Sequence, residues 1–189
     1  MKNIKIILKD LISKILILYQ VVKQESVPTT TVLESEQTLR NLPGLLDLAD
    51  KDHAPSQFRL GVIYANGDGV TKNLLSAYKW YLMASEQGLS EAQYNLAYLY
   101  LMGEGVARDE GEAYRWYLAA AENGLAAAQF NLALMYQDGL GVNRSIEKAL
   151  EWTQKAADQG YINAMFNLAT WHGSGELGLT VDNTEAFKW

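Results

Sequence analysis

The chain has 189 residues, of which 49% are apolar and 20% are charged, which is the composition of a folded globular protein. It contains no cysteine, which excludes disulfide bonds, thiolate metal sites and thiol nucleophiles. The net charge of −6 divides into +3 over residues 1–26 and −9 over the remainder, and this acidic remainder argues against nucleic acid as a partner because phosphate binding needs a basic stripe.

The first segment, residues 1–26, has apolar residues at helical spacing, which predicts a cationic amphipathic helix with Lys5, Lys9 and Lys14 mostly off its apolar side. Three roles stay open: binding to a membrane surface, a secretory signal, or a helix that packs on the rest of the chain or on a partner. We favour a cytoplasmic location, with membrane association under the first role and a periplasmic or secreted location under the second. The apolar positions are Ile4, Ile7, Leu8, Leu11, Ile15, Leu18, Tyr19 and Val22.

Two short segments follow the first one. Residues 27–35 contain Pro28 and three successive threonines, which predicts a linker. Residues 36–54 resemble the end of a helix, and Asp52 lies 36 residues before Gly88. We therefore expect this second segment to be a half repeat that caps the first full repeat.

From residue 55 the chain repeats with a period of 36 residues, which indicates a repeat architecture. The period predicts repeat 1 over residues 55–90, repeat 2 over 91–126, repeat 3 over 127–162 and a truncated repeat 4 over 163–189. The markers that recur at this step are Gly67-Asp68-Gly69-Val70, Gly103-Glu104-Gly105-Val106 and Gly139-Leu140-Gly141-Val142, together with Trp80, Trp116 and Trp152 and with Gly88, Gly124 and Gly160.

Each repeat contains two predicted helices joined by the Gly-x-Gly turn. In repeat 2, Ala92, Leu96 and Tyr100 share one helical face, and a second helix runs from about residue 109 to 123. Gly124 ends it, because a helix commonly stops at a left-handed residue. One helix pair is too small to bury its own apolar side, so stacked repeats supply the core, with the tryptophans as its largest members. The pattern predicts an all-α solenoid.

The same residues resemble the Sel-1-like repeat, a relative of the tetratricopeptide repeat. The resemblance covers about residues 55–189 and implies a right-handed α/α superhelix whose members mostly act as adaptors in protein complexes. Some cysteine-rich members are reported to bind or hydrolyse β-lactams, whereas this chain has no cysteine. The strings that carry the resemblance are Ala92-Gln93-Tyr94-Asn95-Leu96-Ala97, Gly103-Glu104-Gly105-Val106 and Ala113-Tyr114-Arg115-Trp116-Tyr117.

The fourth repeat departs from the pattern. Its turn, Gly175-Glu176-Leu177-Gly178, is one residue longer than the others, and Ala186 and Trp189 match Ala149 and Trp152. The second helix therefore stops half-way, which would leave an apolar side uncovered, although terminal repeats normally carry a polar cap. We expect the native chain to continue past Trp189.

The residue types that carry chemistry have structural explanations. The Gly-x-Gly segment lacks the preceding strand and the Gly-Lys-Ser/Thr ending of a phosphate loop. His53 and His172 lie more than three repeats apart, and His172 replaces a tyrosine of the other repeats. Asp109 and Glu110 lie at a predicted helix start, where they complement the helix dipole. We expect no catalytic set, no cofactor and no metal site.

The candidate partner contacts lie beside the packing stripe of the first helices, which in such solenoids line the concave side. A row of asparagines there either hydrogen-bonds an extended peptide or holds the backbone of its own repeat. Tyr98 is the stronger candidate, because aromatic residues dominate binding hot spots. The candidates are Arg59, Asn95, Tyr98, Asn131, Leu134, Asn167 and Thr170.

The leading functional hypothesis is a scaffold or adaptor that binds a peptide or a partner protein on this concave face. The family resemblance supplies one alternative, a hydrolase that acts on β-lactam or cell-wall-related substrates. Residues 1–26 supply another, a structural spacer within a membrane-attached protein. The sequence does not decide between monomer and oligomer.

Overall fold

The computed structural model describes the backbone of residues 32–189 and the side chains of residues 41–189. The predictions made for residues 1–26 lie outside these described residues, and so does the linker as far as residue 31. All regular structure from residue 32 onward is helical, as predicted.

The helices follow one another as antiparallel pairs. Helix α1 precedes the pairs and spans Val32–Asp50. We use "first helices" and "second helices" for the two members of each pair in chain order. The first helices are α2 (Ala54–Asn66), α4 (Ser90–Met102), α6 (Ala126–Asp138) and α8 (Ile162–Ser174), and the second helices are α3 (Leu74–Glu86), α5 (Glu110–Glu122), α7 (Ile146–Asp158) and the short α9 (Asn183–Lys188).

Helix α1 corrects one predicted boundary. The linker was expected to reach residue 35, whereas the helix begins at Val32, because neither glycine nor proline interrupts the chain between Thr31 and Pro43. The backbone at Asp52 resembles that at Gly88, 36 residues later. Asp52 takes a left-handed φ of 60° at the position that Gly88 occupies in the next repeat with a φ of 87°.

Single residues cap the starts of the second helices and the ends of the first helices. The side chain of Asp109 accepts a hydrogen bond from the backbone nitrogen of Glu112 at 3.0 Å, which confirms Asp109 as a helix start. Asn73 and Ser145 cap the equivalent helices in the same way. Each first helix ends at a left-handed glycine, for example Gly103 with a φ of 70°. The recurring residue types therefore fix the starts of the second helices and the ends of the first helices.

The core is a continuous stack of equivalent side chains. Leu60, Leu96, Leu132 and Leu168 are buried at one position of the four first helices, and small alanines pack between them. Trp116 is buried, as predicted, whereas the equivalent Trp80 and Trp152 are half-buried. Because each repeat covers its neighbour, the stability of the array comes from the junctions between repeats as much as from the repeats themselves.

The Gly-x-Gly turn is one of these junctions. Its first glycine ends the first helix, and its second glycine packs against the second helix of the preceding repeat. A Cβ on Gly141 would overlap the backbone carbonyl of Glu110, and one on Gly105 would overlap that of Leu74. Glycine is therefore required at this position for close approach as well as for its positive φ.

A buried glutamine forms a second kind of junction. The Nε2 of Gln93 donates to the backbone oxygen of Ser85 at 3.2 Å, near the end of the preceding second helix. The Oε1 of Gln93 accepts a hydrogen bond from the Asn123 amide at 3.1 Å. The Ser85 oxygen also accepts a hydrogen bond from the Gly88 backbone nitrogen at 2.9 Å, so Gln93 adds a side-chain bond to a helix end that the backbone already closes. Gln57 and Gln129 make the same two bonds in their own repeats.

Candidate partner-binding surface

The first-helix face is the side of α2, α4, α6 and α8 that carries the seven predicted contact residues. These seven residues differ in how much of each side chain is exposed to solvent. Arg59 and Thr170 are exposed, whereas Asn95, Tyr98 and Asn167 are half-buried. Asn131 and Leu134 are buried, with exposed fractions of 4% and 5%.

The burial of Asn131 and Leu134 is a correction to the predicted surface. Leu134 packs in an apolar cluster with Phe130, Leu168 and Trp171. All residues from Ala128 to Tyr136 are buried, so α6 has no open side along this stretch. Repeat 3 therefore presents neither residue to a partner in this structure, and we leave both out of the contact set.

The asparagine row contacts tyrosines of the preceding repeat. The Asn131 amide donates to the Tyr94 hydroxyl at 3.4 Å. Burial raises the pKa of Tyr81, and a hydrogen bond with Asn95 opposes part of that shift. Burial likewise raises the pKa of Tyr117, which Asn131 partly opposes. Asn95 and Asn131 thus join one repeat to the previous one, an arrangement that neither sequence interpretation included.

Paired aromatic rings pack the two helices of one repeat against each other. The rings of Tyr94 and Tyr117 meet edge to face with centroids 5.5 Å apart. In the next repeat the partner position is Thr153, and Tyr161 packs on Phe130 instead, with centroids 5.3 Å apart. A smaller residue at one position is therefore matched by a larger residue eight positions later in the chain.

Tyr98 is the aromatic residue among the seven predicted contacts, and it is half-buried on this face. It packs against the core through part of its ring and keeps the rest exposed. Burial raises the pKa of Tyr98, and the nearby Glu104 carboxylate and Tyr94 raise it further. The backbone nitrogen of Glu104 donates to the Leu99 oxygen at 3.0 Å, which folds the turn back toward the helix. Tyr98 and Glu104 consequently belong to the same end of α4.

Hydroxyl pairs lie between a second helix and the next first helix. The hydroxyls of Tyr78 and Tyr100 are 3.0 Å apart, and those of Tyr114 and Tyr136 are 2.8 Å apart. Burial, followed by the hydrogen bond with Tyr136, raises the pKa of Tyr114 to about 12. The signal for these pairs was present in the sequence as tyrosines at the 36-residue step, but only the fold shows that they face each other.

The two histidines lie in separate settings. The Nδ1 of His53 is 2.7 Å from the Ser56 hydroxyl at the start of α2. His172 is half-buried on α8, where the preceding repeats have a tyrosine. Within the described residues no group of three histidine, aspartate or glutamate side chains is placed to hold a metal ion. None of the described helices is both long enough and apolar enough to cross a membrane.

Solved structures with the same fold are similar to this chain. A Sel1 repeat protein from Oxalobacter formigenes is 29% identical with a TM-score of 0.72, and the match covers 84% of this chain and 67% of that protein. A protective antigen of uropathogenic Escherichia coli with an SLR fold is 27% identical with a TM-score of 0.76, and the match covers 92% of this chain and 38% of the antigen.

A third similar structure supports the fold alone. The cysteine-rich protein B of Helicobacter pylori is 17% identical with a TM-score of 0.55, and the match covers 71% of this chain and 95% of that protein. No curated protein matches the chain in sequence. Four consecutive segments, residues 54–89, 90–125, 126–161 and 162–189, match the Sel1 repeat, each beginning one residue before the predicted boundary. The chain belongs to the Sel1 repeat family.

Proposed function

We propose that this chain is a protein-interaction scaffold that binds a peptide or a partner protein on the first-helix face. The observation that carries the proposal is Tyr98, an aromatic residue that keeps part of its ring accessible on that face. Aromatic side chains of this kind supply much of the energy of protein interfaces. Sel1 repeat proteins in general act as protein-interaction scaffolds and are typically not enzymes, which supports the same function here.

The packing of the array favours the first-helix face over the junctions. The glutamines and several of the tyrosines are occupied by bonds between repeats, so they are committed to the fold. The predicted contacts that are exposed or half-buried and take no part in these bonds are Arg59, Tyr98, Asn167 and Thr170, whereas Asn95 is half-buried and bonded to Tyr81 of the preceding repeat. We propose these four residues as the partner contacts.

Substitution of Tyr98 tests this assignment. We expect Tyr98→Ala to weaken capture of the partner by about tenfold, the usual cost of an aromatic hot-spot residue. The measurement is affinity purification with the full-length chain, followed by quantitative binding of the partner so recovered. Equal affinity of the wild type and Tyr98→Ala for that partner would remove the first-helix face from the proposal.

The matched control is Leu75→Ala. Leu75 is 52% exposed on the second helix α3, so its loss removes an accessible apolar side chain from outside the first-helix face. We expect this variant to bind as the wild type does. Thermal unfolding of both variants shows whether a loss of binding reflects a loss of folding.

A further inference from the structure

We propose that Tyr98 and Glu104 together receive a lysine or arginine side chain from the partner on the first-helix face. The inference rests on the proposed function and adds the chemistry of the partner. It identifies that partner as a segment in which cationic residues stand among apolar ones.

The geometry of the turn after α4 brings the two residues together. Gly103 ends the helix in a left-handed conformation, and its backbone nitrogen and that of Glu104 both donate to the Leu99 oxygen. In such a closure the residue after the capping glycine folds back over the last turns of its helix, so Glu104 lies at the end of α4 that also carries Tyr98. Both residues are half-buried.

Repeat 2 alone combines these two residue types. The positions equivalent to Tyr98 and Glu104 are Val62 and Asp68 in repeat 1, Leu134 and Leu140 in repeat 3, and Thr170 and Glu176 in repeat 4. An aromatic ring attracts a cation through its negative face, and a carboxylate adds a charge-assisted hydrogen bond. The aromatic and acidic pair is thus specific to one repeat rather than a general property of the turn.

The charge of the first helices and their turns favours the same partner. The four first helices, taken with the residue that follows each capping glycine, contain a single cation, Arg59, against five anions, which gives a net charge of −4 with His172 neutral. A net negative charge on these helices and turns attracts a basic segment and repels an acidic one. The five anions are Asp68, Glu91, Glu104, Asp138 and Glu176.

Glu104 forms no ion pair with another described residue, so its carboxylate can bind a cation of a partner. Lysine and arginine side chains pair with carboxylates on α1 and on the second helices or at their starts, for example Arg115 with Glu112 and Lys155 with Glu151. Glu104 is in none of these pairs. A cation from a partner would therefore meet a carboxylate that no lysine or arginine of the described chain neutralises.

The test uses the full-length chain and a fluorescently labelled amphipathic peptide of leucine and lysine as the probe. We expect the probe to bind, and we expect Glu104→Gln and Tyr98→Ala each to weaken it by about fivefold. Tyr98→Phe keeps the ring and should bind within about twofold of the wild type. The affinity of the wild type for the probe should fall with rising salt, and the affinity of Glu104→Gln should fall less steeply.

Two controls decide the outcome. A twin peptide with glutamate in place of lysine should not bind, and Glu147→Gln, which removes an exposed carboxylate from the second helix α7, should leave binding of the lysine probe unchanged. No binding of the lysine probe, equal binding of the two peptides, or no effect of Glu104→Gln would overturn the cation site. Sensitivity of the captured natural partner to Tyr98→Ala but not to Glu104→Gln would overturn this inference while leaving the proposed function intact.

Discussion

Two junctions of the array, between repeats 2 and 3 and between repeats 3 and 4, are formed by equivalent helices but by different side-chain contacts. At the first, Gln129 donates to the Ala121 oxygen at 3.2 Å, and the Tyr114 and Tyr136 hydroxyls form a bond. At the second, the equivalent residues are Met165 for the glutamine and Leu150 and His172 for the tyrosines, and Leu177 stands where Gly141 stood.

These departures occur together, which is informative about the repeat. The residues named above, which bond repeat 2 to repeat 3, are replaced in repeat 4. A side-chain cap at the start of the second helix is nevertheless kept there. Asp182, for example, still caps α9 in repeat 4. Helix formation and repeat coupling are therefore specified by different residues, and the following substitutions separate the two.

The largest effect should come from Gly141→Ala. Its φ of 65° disfavours any side chain, and the added Cβ would overlap the Glu110 carbonyl of the preceding repeat. We expect a loss of about 3 to 5 kcal/mol in the free energy of unfolding, as strain and overpacking combine. Chemical denaturation measures it. The control is Gly124→Ala, which has a φ of 87° but open space around it and should cost about 1 kcal/mol. Equal losses in both variants would contradict the close approach.

An intermediate effect should come from Gln129→Met, which copies the residue of repeat 4. It removes the Gln129 bond to the Ala121 oxygen and takes away the acceptor of the Gln159 amide, so we expect a loss of about 1 to 2 kcal/mol. The reciprocal change, Met165→Gln, should cost less than about 1 kcal/mol or stabilise slightly. Denaturant midpoints of the two variants check the difference, and equal destabilisation would remove the glutamine from the account of coupling.

The smallest effect should come from Tyr114→Phe, which removes one hydroxyl pair and should cost about 1 kcal/mol. It also carries a pH signature. The pKa of Tyr114 is raised to about 12 in the folded protein, above its ordinary value near 10, so the folded state holds the proton more tightly. This contribution is complete below pH 10 and is lost as the pH rises toward about 12. The free energy of unfolding, measured between about pH 10 and 12, should fall less steeply with pH in Tyr114→Phe than in the wild type. Identical slopes would contradict the assignment.

The sequence predicted the fold because its main determinants are local. The period, the left-handed glycines and the Asp109 cap each act within one repeat, and all are confirmed. The second role of Gly141 depends on contact with the preceding repeat, which a single repeat does not reveal. The start of α1 was placed too late for a related reason, since a linker was assigned from threonines that end just before the helix.

The contact residues were predictable in part. Helical spacing placed Asn95, Tyr98 and Asn131 on the first-helix face, but it gave equivalent positions equal exposure. Asn131 is buried while Asn95 is half-buried, because exposure depends on the side chains of the neighbouring repeats. Tyr161 in place of a leucine is one such difference, since its ring packs on Phe130 of α6. The accessibility of the predicted contacts could therefore be read only from the structure of the stacked repeats.

Site-specific photocrosslinking tests the central claim most directly. A photoreactive phenylalanine analogue is placed at Tyr98 in one full-length variant and at Leu75 in another, and each is irradiated with the partner bound. The account predicts a covalent adduct with the partner from position 98 and none from position 75. An adduct from position 75 alone would place the partner on the second helices and contradict the first-helix face as the binding surface.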